Sequence, residues 1–316
     1  MTDTSSRAVA RALPWPIGKP AVEIVDHIQQ GAFQRSMSLL VAGTSVISGM
    51  EVAYEHYKGS YSNPVMYTPV VLSGALAISG LAAFLSRRAA QTILRYVSYA
   101  TLVDGVIGFG FHIRGVARKP GGWRLPITNI VMGPPIFAPL LFGTSAYLGV
   151  ITSYLRREED YGLLGSIEAS AAAGLVNDFR EDIRTGHFQK HLCIVAAIST
   201  LCSGAESWYS HYKDNFKFRV QWSPILLTPL MLFATLSSVR SRRIANTLLP
   251  VASGLLMANG IVGTGYHIRG ILRRPGGRKK PLYNILYGPP IFAPMLMAAA
   301  GMLGALAYLM GREKHA

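Results

Sequence analysis

Charge is what this sequence has least of, and negative charge least of all. Only 15% of its 316 residues are charged, against roughly a quarter in ordinary soluble domains. Asp and Glu number 16, Lys and Arg 31. Cysteine is nearly absent, with Cys193 and Cys202 alone. Nine helical positions separate that pair by about 13 Å, too far for a disulfide. No Cys-X-X-Cys-His run is present for covalent haem attachment. A Walker-type glycine loop, Gly-X-Ser-X-Gly and His-Glu-X-X-His are also missing, so independent nucleotide or hydrolase chemistry has no motif to rest on. The first twenty residues are polar and carry prolines, without the apolar stretch of a cleavable signal, and a polar tail is expected there.

Long apolar runs take the place of charge. Half the residues are hydrophobic and the mean hydropathy is +0.29. Charged residues fall in short intervals between runs close to the ~20 residues that a helix needs to cross a bilayer. A net charge of +15 would point to nucleic acid in a soluble chain. Here the Lys and Arg flank apolar runs, where interfacial anchoring and anionic lipid head groups account for them, and no nucleic acid partner is expected.

The chain repeats itself. His56-Tyr57-Lys58 returns as His211-Tyr212-Lys213, an offset of 155 (211 minus 56). The same offset carries His112-Ile113-Arg114-Gly115 to His267-Ile268-Arg269-Gly270, and Gly133-Pro134-Pro135-Ile136-Phe137-Ala138-Pro139 to Gly288-Pro289-Pro290-Ile291-Phe292-Ala293-Pro294. The expectation is an all-α membrane protein of eight transmembrane helices, arranged as two tandem parallel four-helix repeats, with a short surface helix before each. Spans are expected at about 36–56, 68–86, 92–112 and 134–154, then 191–211, 223–241, 247–267 and 289–309. The organisation that follows is a polar tail (1–20), a first membrane repeat (21–155), a polar linker (156–175), a second membrane repeat (176–310) and a C-terminal tail (311–316). Each fourth span is expected to begin at Gly-Pro-Pro, with Pro139 or Pro294 about one turn inside it as a potential kink.

Duplication marks the polar positions that stayed identical while their neighbours drifted: Glu51/Glu206, Tyr54/Tyr209, His56/His211, Lys58/Lys213, His112/His267, Arg114/Arg269, Arg118/Arg273 and Asn129/Asn284. All fall at one end of the expected spans, called side A; the opposite end is side B. Ionisable residues at membrane depth are costly and point to function. His56 and His112 end spans that run in the same direction, so they reach a similar depth, as do His211 and His267. Two imidazoles from neighbouring helices at one depth suit the two axial positions of a b-type haem iron. By helical spacing each histidine shares its face with small residues. These are Ser45, Gly49 and Val52 before His56, and Gly105 and Gly108 before His112. Thr200, Gly204 and Ser207 precede His211, and Gly260 and Gly263 precede His267. That pattern is expected to leave room for a flat macrocycle. Lys58, Arg114, Arg118, Lys213, Arg269 and Arg273 are then placed to meet haem propionates.

The sequence therefore points to a multi-pass cell-membrane protein that carries electrons, a di-haem b subunit between a membrane-associated dehydrogenase and quinone. In that scheme the partner does the substrate chemistry. One alternative uses Glu51, His56 and His112, with Glu206, His211 and His267, as ligands of non-haem iron doing oxidation chemistry. Glu51 lies about 140° around the helix from His56, which makes shared ligation awkward. A second alternative is a transporter of a small anionic substrate. His187 and His191, four apart, are a further possible metal pair without counterparts in the first copy.

Overall fold

The computed structural model describes residues 18–162 and 175–313. The described chain is helical, and its one bridge of strand type is an isolated pairing of Ala32 with Arg156. In chain order the helices are α1 (Gly18–Gln29), α2 (Gln34–Lys58), α3 (Thr68–Leu85), α4 (Arg95–Ala117), α5 (Pro126–Val131) and α6 (Ala138–Tyr154), followed by α7 (Leu175–Arg184), α8 (Gln189–Lys213), α9 (Ser223–Arg240), α10 (Arg242–Leu272), α11 (Pro281–Leu286) and α12 (Ala293–Leu309). Residues 1–17 of the expected polar tail and 163–174 of the expected linker lie outside the described residues.

Among the described residues five helical segments are long and apolar enough to cross a membrane: Gln34–Lys58, Pro64–Leu85, Gln189–Lys213, Arg219–Arg240 and Arg242–Leu272. Their outward faces are greasy; Val71 is 67% exposed, Ile78 70% and Leu226 68%. The interior is lined by small hydroxyls, with Ser38, Ser73, Thr101, Thr235, Ser238 and Ser253 all buried. An apolar exterior over a small, partly polar interior suits helices packed in lipid, where the solvent is as apolar as leucine. A soluble protein would bury those outward faces.

α2 packs on α3 and α6, and α4 packs on the same two, so α2 and α4 lie diagonally across a four-helix group. α8, α9, α10 and α12 make the corresponding group. The groups meet where α6 touches α8 and α2 touches α12. One buried apolar cluster runs through both, including Met37, Leu76, Leu148, Leu192, Met231 and Leu303.

At side B the same lock occurs twice. Gln34 donates from Nε2 to the carbonyls of Thr152 (3.0 Å) and Leu155 (2.9 Å), and Gln189 donates to those of Ala307 (3.0 Å) and Met310 (3.3 Å). Carbonyls at the ends of α6 and α12, where the helical ladder runs out, are satisfied in this way, that of Ala307 alongside the Met310 N–H. The carboxylate of Glu158 accepts from the backbone N–H groups of Arg35 (2.9 Å) and Ser36 (2.8 Å), and Glu313 accepts from that of His191 (3.0 Å). These acids cap the first turns of α2 and α8. Arg157 and Arg312 reach the closing carbonyls of α3 and α9.

One sequence expectation is corrected here. Gly-Pro-Pro does not begin a helix: α6 starts at Ala138 and α12 at Ala293, so Pro139 and Pro294 lie in the first turn, where a missing N–H costs nothing. Neither proline kinks its helix. At seventeen residues each, α6 and α12 extend about 26 Å. The irregular stretch before α6 is packed against protein, with Ile136 buried, and the short helices leading in bury Asn129 and Val131 of α5 and Asn284 of α11. That is the condition under which non-helical backbone is tolerated at membrane depth.

Candidate functional site

At side A the chain leaves α2 through two consecutive left-handed residues, Ser60 (φ 58°) and Tyr61 (φ 44°), and leaves α8 through Asn215 (φ 52°) and Phe216 (φ 47°). Non-glycine residues in that region cost about 1 kcal/mol or more each. Ring stacking offsets the cost: Tyr61 lies on Tyr67 and Phe216 on Trp222, both with centroids 4.2 Å apart. The same rings stand edge-on to His56 (6.1 Å) and His211 (6.3 Å). His56 Nδ1 donates to the carbonyl of Met66 (2.6 Å), and His211 Nδ1 to that of Gln221 (3.0 Å).

His112 and His267, in the last turns of α4 and α10, are held by the proline segments. Nδ1 donates to the carbonyl of Pro135 in one case and Pro290 in the other, each at 2.5 Å. These carbonyls are available because Gly-Pro-Pro lies outside the helix. In all four cases the partner is a carbonyl oxygen, which has no proton, so Nδ1 carries the hydrogen and Nε2 presents a lone pair. No described residue bonds to Nε2 of any of the four. His56 and His112 lie close enough for their charges to act on each other, and so do His211 and His267. Each of the four imidazoles is thus fixed at Nδ1, and in each helix group the two rings stand on the diagonal helices.

The glycines do not serve as expected. A Cβ on Gly49 would meet Cβ of Ser73 at 2.6 Å, and one on Gly204 would meet the Thr228 hydroxyl at 2.3 Å. A Cβ on Gly105 would meet the Pro139 carbonyl at 2.9 Å, and one on Gly260 the Pro294 carbonyl at 2.5 Å. Gly108 and Gly263 sit against the rings of Pro139 and Pro294. These glycines let neighbouring helices approach, the ordinary use of small residues between membrane helices, and the room they make is already filled. Lys58 and Lys213 are also engaged elsewhere: Lys58 pairs with Glu55 (3.2 Å) and lies over the Tyr54 ring, and Lys213 lies over Tyr209. Arg114, Arg118, Arg269 and Arg273 are exposed and make no ion pair among the described residues.

A second constellation sits between the helix groups. Glu206 on α8 accepts from the Phe137 N–H (3.1 Å), at the start of α6 in the other group, and so caps the broken fourth helix there. Glu51 on α2 lies near the Phe292 N–H at the equivalent start of α12, also in the other group. Tyr209 donates to Glu206, and Tyr54 donates to the Gly288 carbonyl (3.4 Å). The two carboxylates lie near enough for Glu206 to act on Glu51. Their recurrence is visible in sequence; their crossing is not, because each partner belongs to the other copy.

The remaining recurrent residues are structural. Asn129 ties the turn after α4 through the carbonyls of Pro120 (3.0 Å) and Gly122 (2.7 Å), and Asn284 does the same through Gly277 (3.1 Å). Asp104 accepts from the Thr68 hydroxyl, while Asn259 in the equivalent place donates to that of Ser223, both at 2.7 Å. His191 bonds Glu313 and His187 bonds Thr185, so those two histidines are held by different partners. Among the described residues no three His, Cys, Asp or Glu side chains are gathered to hold a metal ion. Glu51, turned to Phe292, does not join His56 and His112. No protein-family model, curated protein or solved structure matches the chain.

Proposed function

We propose that this is a membrane electron-transfer subunit with eight spans in two tandem parallel four-helix units, each binding one haem b between its imidazole pair, His56 with His112 and His211 with His267. The observation that carries the reading is the orientation of the four rings. An Nδ1–H held by a backbone carbonyl, with Nε2 left as a lone pair, is the hydrogen bonding that fixes a metal-ligating histidine. Diagonal helices supply the two rings of each pair, which leaves the middle of the group between them. Because Gly49, Gly105, Gly108 and their counterparts are occupied by helix contacts, a flat ligand is confined to the histidine level and the side A end. The exposed Arg114, Arg118, Arg269 and Arg273 stand at that end for propionates; Lys58 and Lys213 are committed elsewhere. The bound group would supply one-electron chemistry. The chain's own part is to fix the rings, exclude lipid and hold the edge charges. Quinone and a membrane-associated dehydrogenase in the cell membrane are the exchange partners of this class.

Eight spans follow from adding α4, α6 and α12 to the five longer helices. The fourth of each set falls short of the ~30 Å core and is completed by the packed Gly-Pro-Pro stretch. An anionic-substrate transporter is less well supported, since the helix start at Phe137 that would attract an anion already holds Glu206, and Glu51 lies near the equivalent start at Phe292.

Visible absorption of the protein purified from haem-replete cells tests the reading. A sharp reduced α-band with two haems per chain is expected, halved in His112→Ala and in His267→Ala and lost in the double variant. A colourless protein that takes up no added haem sinks it. Iron without that band would favour a non-haem site.

A further inference from the structure

The turns that follow α4 and α10 share a backbone and differ in chemistry. Two left-handed glycines close each of them, Gly121 (φ 81°) and Gly122 (φ 49°) in the first copy, Gly276 (φ 85°) and Gly277 (φ 45°) in the second. In the first copy, residues 118–125 carry three cations, Arg118, Lys119 and Arg124, beside Trp123 and Leu125. In the second, Arg278 stands in the place of the tryptophan and Lys280 in that of the leucine. Residues 273–280 thus carry five cations, Arg273, Arg274, Arg278, Lys279 and Lys280, and no acid. None of the five makes an ion pair among the described residues.

Against this second turn lies a cavity of about 200 Å³. Ile268, Ile271 and Leu272 of α10, Ile285 of α11 and Ile291 wall it, and Arg278 is the one charged side chain among its lining residues. Ile268 and Leu272, one turn apart, are each 43% exposed, so the cavity borders the outer face of α10 rather than the middle of the helix group. Leu282, Tyr283 and Tyr287 beside it are exposed too, the two tyrosine rings 4.8 Å apart. Exposed tyrosines next to apolar side chains and cations mark the level where a bilayer meets water. Arg274 reaches back to the same place: a Cβ on Gly288 would meet Cγ1 of Ile271 at 2.8 Å and Cδ of Arg274 at 3.5 Å. Nε of Arg274 is buried there and has no hydrogen-bond partner, an expensive state for a charged donor.

We propose that this cavity seats an acyl chain of one anionic phospholipid, whose head-group phosphate is held by Arg278 with Arg274, Lys279 and Lys280, and that the two copies are therefore unequal towards lipid. Both halves of the site call for such an occupant. An acidic protein would meet the cations and leave the apolar cavity empty. A neutral lipid or an isoprenoid tail would fill the cavity and leave the cations unmet. A phospholipid with a net negative head group does both, through charge-assisted hydrogen bonds at one end and apolar burial at the other. The site uses neither the imidazoles nor Arg269 and Arg273, and it stands whether or not haem is bound.

Native mass spectrometry of the full chain, delipidated in detergent and titrated with dioleoylphosphatidylglycerol or dioleoylphosphatidylcholine, tests it. One phosphatidylglycerol is expected to bind each chain more tightly than phosphatidylcholine does. Arg278→Trp should weaken that binding about fivefold, the effect of one basic residue at an anionic head group. Tryptophan occupies the same turn in the first copy, so this variant is expected to fold, and an unchanged melting curve checks it. Ile285→Phe fills the cavity but keeps every cation, and should weaken phosphatidylglycerol as well. Arg124→Gln removes a cation from the other turn and should leave binding unchanged. Equal binding of the two lipids, or an equal loss in Arg124→Gln, means attraction spread over side A and overturns the site. Full binding in a folded Ile285→Phe overturns the acyl-chain seat. Displacement of the bound lipid by inorganic phosphate means that the cations take a free anion, and overturns the lipid assignment as well. Any haem band should be unaltered in all three variants, which separates this outcome from that of the electron-transfer reading.

Discussion

Gly31 and Gly186 meet backbone to backbone at side B, each lying where the other's side chain would be. A Cβ on Gly31 would come within 2.6 Å of the Arg184 carbonyl and 2.8 Å of the Gly186 nitrogen; one on Gly186 would come equally close to the Gln29 carbonyl and the Gly31 nitrogen. Both residues hold positive φ, 70° and 75°. Their carbonyls accept from the backbone N–H groups of Arg156 (3.0 Å) and Gly311 (2.8 Å), tying each helix group to the chain that leaves it. Gly31→Ala combines the left-handed penalty with a clash against backbone that has no soft atom to move. A loss of about 3 kcal/mol is expected, with Gly186→Ala similar. Thermal unfolding in detergent measures it, and a melting curve like that of the wild type for either variant would show that the two glycines do not pin the groups together.

Gln34 and Gln189 are both buried, 1% and 4% exposed, and each satisfies two helix-end carbonyls. Leucine is of similar size but removes the donor to the Thr152, Leu155 and Met310 carbonyls, while that of Ala307 keeps the Met310 N–H (3.3 Å). Gln34→Leu and Gln189→Leu should each cost about 1–3 kcal/mol. The sites serve different helices and should combine additively. Melting temperatures of the two single variants and the double variant decide this; a double variant no worse than the singles would mean that the contacts act as one.

The helices were legible because apolar runs, terminal histidines and the 155-residue offset are all written in one dimension. What was misread depended on neighbours. The glycines before the histidines were read as open space because helical spacing shows which face a residue shares, not what lies opposite. Ser73, Pro139, Thr228 and Pro294 fill that face. Gly-Pro-Pro was read as a helix start because prolines favour first turns; the sequence offers two such positions, and the later one, at Ala-Pro, is used. Asp104 and Asn259 differ in charge yet occupy equivalent places, because Asp104 accepts from a hydroxyl and Asn259 donates to one. The acidic run after α6 looked like linker, whereas its first member caps α2. Among the described residues five segments rather than eight pass as spans on length and composition alone: breaking the fourth helix of each group shortens α6 and α12 to seventeen residues, and α4, at 23 residues, is the third that is not among the five.

Glu313 gives the lock at side B a pH dependence. Burial by itself would raise its carboxyl, but hydrogen bonds from the His191 side chain and backbone hold it below the usual carboxylate range. The folded value is below the unfolded one, about 4.3, so the folded state binds fewer protons. Its contribution is fully present above the unfolded value and is lost as pH falls through the lowered folded value. Melting temperature followed from about pH 6 to pH 3 should fall in the wild type and fall less in Glu313→Gln, which still accepts from the His191 N–H. Parallel curves for the two proteins would remove Glu313 from the acid response.

Glycines that look alike in sequence should respond in opposite ways to a side chain. Gly260 and Gly265 lie five positions apart on α10. A Cβ on Gly260 would sit 2.5 Å from both the Ala298 nitrogen and the Pro294 carbonyl, whereas nothing lies within 4 Å of one on Gly265. Gly260→Ala must push α12 away from α10, and with it the Pro290 carbonyl that orients His267. A cost of about 2–4 kcal/mol is expected. Gly265→Ala removes backbone freedom from the unfolded chain and touches nothing, so it should stabilise by about 0.5–1 kcal/mol. Measured side by side in the same detergent, the two variants should move the melting temperature in opposite directions. If both lower it, or neither moves it, the close packing of α10 on α12 is not what holds the proline segment against the histidine.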